Sequence, residues 1–184
     1  DETSRGLGDV YKRQLYFYLG LMLKMNKKIF FIPLLASFLF FVIYLLLAQT
    51  GNFLSVEPGY SINDVSRWCE RISGGYFREP SNALSNIGFI TTGLIMFWIL
   101  SREPKGKSRF HGASPTAIIF ATAALFLGPG SLLMHGTHTA WGQWADWLSM
   151  IMFISIPWLV NIFVIKDYSE TVSYTHLTLP TTTP

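Results

Sequence analysis

Gly128-Pro-Gly-Ser131-Leu-Leu-Met-His135-Gly-Thr-His138-Thr-Ala-Trp141-Gly-Gln143-Trp144-Ala-Asp146 places a serine, two histidines and an aspartate where two strongly apolar stretches meet. Ionisable groups at membrane depth are costly to bury and are retained mainly where they act. The flanking stretches, Pro115 to His135 and Trp144 to Ile165, are each long enough to cross about 30 Å of hydrocarbon as a helix rising about 1.5 Å per residue.

The whole composition agrees with that. Of 184 residues, 50% are hydrophobic, 16% aromatic and only 14% charged, with a mean hydropathy of +0.34, too apolar for an ordinary soluble domain. The fold class this implies is an all-α polytopic membrane protein with about four transmembrane helices. Besides the two spans already named, Ile29 to Ala48 carries no charge, and Ala83 to Leu100 is a shorter apolar span holding Ser85, Asn86, Thr91 and Thr92. Small and hydroxylated residues at that density predict close approach to neighbouring helices and hydrogen bonds across to them.

Charge sets the topology. Lys24, Lys27 and Lys28 precede the first span, and Arg102, Lys105, Lys107 and Arg109 occupy 101–114, so both segments belong on the cytoplasmic side. The first span is read as an anchor, because cleaved secretory cores run to about 7–15 apolar residues. The stretch 49–80 is broken by Glu57-Pro-Gly, Asn63-Asp64, Ser73-Gly-Gly and Glu79-Pro and is read as an external loop. In the third span, opened by Pro115, Gly128-Pro129-Gly130 predicts an interruption. Pro129 cannot donate to the carbonyl four residues earlier, so the helix should kink or loosen just before Ser131. Trp141, Trp144 and Trp147 are expected at the outer interface.

Both ends of the chain look foreign. Ser4 to Gln14 resembles a translated sequencing adapter, and Val172 to Thr182 the reverse complement of its partner. The codons GAT GTG TAT AAG AGA CAG encode Asp9 to Gln14, and their reverse complement, one frame over, encodes Val172 to His176. Residues 1–14 and 172–184 are therefore set aside as adapter-derived, with Met25 as a natural start and 15–28 as a cytoplasmic segment. An open frame running into adapter reads as a gene cut short.

Several function classes are excluded. The net charge of +3 is spread over loops with no basic stripe, which argues against nucleic-acid binding. The lone cysteine, Cys69, cannot form an intrachain disulfide. Neither a Gly-rich phosphate loop nor a serine-hydrolase elbow occurs. What remains is a cluster that the topology gathers on the external side: Glu70, Glu79, Ser131, His135 and Asp146. Ser131 and His135 are four apart and share a helix face. A neutral imidazole there can bind zinc, and a carboxylate opposite can orient or deprotonate a water; Asp146, at the start of the next helix, suits that role. His138 could be a second ligand or cap the turn, the cap being preferred. His111, in a basic loop, is structural. Haem binding through His135 and His138 would need a facing histidine from another span.

Taken jointly, Trp68-Cys69-Glu70, Glu79-Pro-Ser-Asn82-Ala-Leu-Ser85-Asn86 and Ser131-x3-His135-x7-Gln143-x2-Asp146 resemble the alkaline ceramidases and the wider CREST superfamily of seven-helix membrane hydrolases, over residues 67 to 160 or so. The resemblance implies zinc-dependent hydrolysis of the amide of ceramide or a related lipid amide, releasing sphingosine and a fatty acid. It makes His135 the first zinc ligand, Asp146 the general base, and Ser131 a hydrogen-bond donor to the developing oxyanion or a support of the metal site. Glu70 and Glu79 match acidic positions of a calcium site in the entry loop. Arg67 and Ile72, however, replace an aspartate and an asparagine of that site, which weakens the case for calcium and frees Glu70 to pair with Arg67 or Arg71. The span 29–48 is an addition to the seven helices, and the other two zinc ligands, a His-x3-His on the last helix, fall beyond residue 184. The expected partners are a lipid substrate and the bilayer. The expected location is the inner membrane of a bacterium, with the site on the external face. The rival reading is a receptor-like or scaffold membrane protein in which Ser131, His135 and Asp146 merely hold two helices together.

Overall fold

The computed structural model describes residues 26–103 and 112–177. Residues 1–14 and the last part, 178–184, of the C-terminal stretch set aside above, together with Lys24, Lys105, Lys107, Arg109 and His111, lie outside the described residues. Among those described, the elements are α1 (Lys27–Gln49), α2 (Pro80–Ser85), α3 (Ile87–Arg102), α4 (Pro115–Thr137) and α5 (Ala140–Leu177). Extended backbone pairs only at an isolated bridge between Val65 and Arg71. Four segments are long and apolar enough to cross a membrane: Lys27–Gln49, Pro80–Arg102, Pro115–Thr137 and Ala140–Ile162. These are the four expected spans in the expected order. α5 continues as helix to Leu177, past the end expected at Ile165 and into the stretch set aside at 172.

The starts of the helices follow local chemistry. Pro80 and Pro115 open α2 and α4, where a missing N–H costs nothing. The Ser114 hydroxyl accepts from the Ala117 N–H at 3.2 Å and caps α4, satisfying one of its orphan donors.

α4 is the central helix. Within its span 44% of residues are buried, against 11% in α1 and in Ala140–Ile162. Its neighbours reach it through glycines. A Cβ at Gly128 would collide with the Ile90 side chain and stand 2.8 Å from the Asn86 carbonyl oxygen; one at Gly130 would lie 2.5 Å from Ser149 Oγ and 2.8 Å from the Ala145 carbonyl oxygen. The Gly-Pro-Gly element is therefore no interruption, contrary to expectation. α4 runs unbroken through Pro129 to Thr137, and the two glycines are the places where α3 and α5 come close. Gly93 of α3 likewise abuts the Leu125 backbone, 2.6 Å from where its Cβ would be. The hydroxyls of Thr91 and Thr92 do not reach across as expected. They donate to the carbonyls of Ile87 and Gly88 in their own helix, both at 2.9 Å, which satisfies a lipid-facing hydroxyl without a partner helix.

α1 is tied in at both ends. At one end Asn26 N donates to the Ser101 carbonyl at 2.7 Å, which puts the start of α1 beside the end of α3, as the distribution of positive charge requires. At the other end Tyr44 is only 2% exposed, donates to the Tyr76 carbonyl at 2.9 Å, and stacks on Phe77 with ring centroids 5.0 Å apart. Tyr44, Ala48, Ala83 and Leu132 form a buried apolar cluster there. Elsewhere the surface is that of a bundle covered by lipid: Ile32, Phe38, Trp144 and Ile154 are each more than 60% exposed. Trp141, Trp144 and Trp147 project outward from the first turns of α5.

The glycine contacts give a direct test. Gly130→Ala overpacks the α4–α5 contact and should cost about 1–3 kcal/mol, seen as a lower thermal midpoint of the detergent-solubilised protein. Gly88→Ala, at a position where a Cβ meets nothing within 4 Å, should leave the midpoint unchanged or raise it.

Candidate functional site

The site begins where α4 ends. A helix leaves its last four carbonyls without intrahelical donors, and at this end the loop 50–79 supplies donors to three of them. Glu79 N donates to the His135 carbonyl at 2.9 Å, Arg78 N to that of Gly136 at 2.9 Å, and Ser55 N to that of Thr137 at 2.8 Å. His138 then takes a left-handed conformation, φ 52°, with its N–H on the Met134 carbonyl; it is the C-cap of α4, as preferred from sequence. Thr139 Oγ1 accepts from Gly142 N at 3.2 Å, so α5 starts almost immediately.

That short turn brings two helices onto one cavity of about 610 Å3, lined by Ser131, Met134 and His135 of α4, Gln143, Asp146 and Trp147 of α5, and Arg67 and Trp68 of the loop. The sequence-predicted Ser131, His135 and Asp146 are thus brought together. Its polar groups converge against apolar walls from Phe89, Leu127 and Met150, the composition typical of small-molecule sites.

The two glutamates are not held in one ligand set. Glu70 accepts from the N–H groups of Ser81 and Asn82, both at 2.7 Å; it caps α2, where a negative charge is favoured. Arg67 and Arg71, expected as its partners, go elsewhere: Arg67 pairs with Glu57 at 2.9 Å and Arg71 donates to the Asn63 carbonyl at 2.7 Å. The backbone N–H groups of α2 are nearer and fixed, whereas a surface ion pair must immobilise two long side chains.

Glu79 is fully buried. Its Oε2 lies 2.5 Å from His135 Nδ1 and 3.1 Å from Asn82 Nδ2, and its Oε1 lies 3.3 Å from His138 Nε2. Burial pushes its carboxyl up, but donors around it, His135 first, outweigh that and hold it well below the usual carboxylate range; its Oε1 and the ring nitrogens of His138 make no hydrogen bond. An ionised carboxylate only accepts, so at this contact Nδ1 of His135 is the donor, and Nε2 is the ring nitrogen that Glu79 does not engage. Trp68 closes the other side, its ring edge-on to His135 at 5.1 Å between centroids, while the Arg67 guanidinium sits 4.1 Å over Trp68.

Zinc fits the donor chemistry at His135, since metal-binding histidines commonly donate their second ring N–H to a carboxylate. Among the described residues, no group of three or more His, Cys, Asp or Glu is placed to hold a metal. Calcium fits poorly: Ile72, at one expected ligand position, is apolar and fully buried, and Arg67 brings a positive charge to another. The Glu79–His135 pair, Asn82 and Trp68 went unrecognised in the sequence as parts of one arrangement. No local pattern joins Glu79 to a residue 56 positions away.

These features define a polytopic membrane protein with a polar pocket at the ends of its spanning helices. A family model described as Ceramidase matches residues 64–183, more than half of the chain, and the chain belongs to that family. It is a ceramidase-type hydrolase acting on lipid. The match begins in the loop and leaves α1 outside; it takes in the stretch from 172. Neither curated proteins nor solved structures gave a match.

The role of Glu70 is testable. Glu70→Gln keeps the shape but removes the charge at the start of α2, and Glu70→Ala removes the cap altogether. The alanine variant should lose about 0.5–2 kcal/mol, with faster proteolysis of 50–79 and a smaller effect for glutamine.

Proposed function

We propose that the protein is a zinc-dependent membrane hydrolase that cleaves the amide bond of ceramide or a related lipid amide at the cavity shared by α4 and α5. The supporting observation is that Ser131, His135 and Asp146, drawn from two helices, line one apolar-walled cavity and that His135 is backed by a buried carboxylate. When bound, zinc supplies a Lewis acid that polarises the amide carbonyl and strengthens water as a nucleophile. His135 presents Nε2 to it, with its tautomer held by Glu79. Asp146 takes a proton from the attacking water and returns it to the leaving amine. Ser131, one turn before His135, donates to the oxygen on which charge develops. Leu127, Met134 and Met150 exclude bulk water and accept the acyl chain.

Two further ligands are required, and this reading assigns them to a His-x3-His on a helix beyond residue 184. The site belongs on the external face of a bacterial inner membrane, with Lys27 and Lys28 inside. Calcium is not assigned a role.

Recovery of the uncut gene is the first test, and a continuation without His-x3-His on an apolar helix would defeat the proposal. With the full-length protein, His135→Ala should abolish hydrolysis of a fluorescent ceramide while helical content at 25 °C is retained, with a lower thermal midpoint because buried Glu79 loses its partner. Ser131→Ala should lower kcat about 10²–10³-fold, as loss of an oxyanion donor does. A His135→Ala protein that melts early yet still hydrolyses the lipid would mean that the histidine only holds helices together.

A further inference from the structure

We propose that Glu79 is the positioning residue of His135, and that with Asn82 it fastens the loop to α4 without a loop cation. The inference rests on His135 being the working residue of the cavity.

Glu79 grips His135 at two points. Its backbone N–H donates to the His135 carbonyl at 2.9 Å and its Oε2 accepts from Nδ1 of the same residue at 2.5 Å. The first bond fixes where the carboxylate stands and the second fixes the ring plane. Trp68, edge-on at 5.1 Å, blocks rotation away from the carboxylate. An acceptor-only partner selects the Nδ1–H tautomer and leaves the Nε2 lone pair for a ligand.

Three of the four carboxylate oxygens that a calcium ion would draw on are already engaged by N–H donors. Calcium gathers six to eight oxygens at about 2.3–2.6 Å. Here both oxygens of Glu70 are taken by Ser81 and Asn82 N–H groups and Glu79 Oε2 by His135, while Glu79 Oε1 stands 3.3 Å from His138 Nε2 without a hydrogen bond. The Asn82 amide donates to Glu79 Oε2 at 3.1 Å and to the Trp68 carbonyl at 3.4 Å, so an N–H donor joins two oxygens that a cation would otherwise bridge. Arg67, 4.1 Å over the Trp68 ring, adds a fixed positive charge to the same loop.

The test reads the tautomer directly. Protein labelled with 15N-histidine, in micelles at alkaline pH, is examined by long-range 1H–15N correlation, with His135 assigned from the spectrum of His135→Asn. Wild type should show the Nδ1–H form. Glu79→Gln should keep it, because the amide oxygen still accepts, but with a shifted Nδ1 resonance. Glu79→Ala should release His135 to a mixture rich in Nε2–H. An Nε2–H wild type, or a Glu79→Ala spectrum unchanged at His135, overturns the proposal. Where Glu79→Ala fails to fold, an unmoved Nδ1 resonance in Glu79→Gln does so. Millimolar calcium against EGTA should leave the His135 signals and the thermal midpoint unchanged, and a calcium-dependent rise in the midpoint refutes the cation-free loop. In the full-length protein, zinc affinity should fall about 10- to 100-fold in Glu79→Ala and be partly rescued in Glu79→Gln. The tautomer result needs neither zinc nor substrate, so it stands or falls separately from the hydrolase reading.

Discussion

The carbonyls of His135, Gly136 and Thr137 at the buried end of α4 are the constraint on which the site depends. Away from water an unsatisfied backbone oxygen costs several kcal/mol, and here the donors come from Glu79, Arg78 and Ser55. A loop held by its own backbone to a helix end has little freedom in register. Because the donor to His135 is Glu79 N, the Glu79 side chain cannot be far from the His135 ring. Positioning of the imidazole is thus a by-product of closing the helix.

A second constraint acts along the bundle. Lipid supplies no hydrophobic drive for helices to associate, so they must meet closely enough for dispersion to hold them. Gly93, Gly128 and Gly130 make that possible, each facing backbone or a small side chain of its neighbour. The approach at Gly130 sets α5 against α4, and the short turn through His138 and Thr139 brings Asp146 to the cavity that Ser131 and His135 line. Cavity shape and helix packing therefore share the same few residues, and a methyl group added at Gly130 would disturb both.

α1 stands outside the span matched by the family, yet its outer end is part of the support for the site. Tyr44 reaches the loop at Tyr76 and Phe77 and fills the space beside Gly136, where a Cβ would collide with its hydroxyl. Gly136 lies next to His135, so the additional helix buttresses the turn from behind.

Four spans and their order were legible from hydropathy, because the bilayer imposes one length on every helix. The shared face of Ser131 and His135 was equally legible, since helical periodicity is local. At Gly128-Pro129-Gly130 the helix is not interrupted and the glycines are contact residues, and at Thr91 and Thr92 the hydroxyls bond back to their own helix. The sequence was silent on Glu79. Two residues 56 positions apart meet only because the loop folds back to close α4, and that is a property of chain packing, with no periodicity in the sequence to announce it. The residue types at the site were thus fixed locally, while their pairing, with Glu70 on a helix start and Glu79 on an imidazole, was decided by which buried donors and acceptors the tertiary fold left to be satisfied.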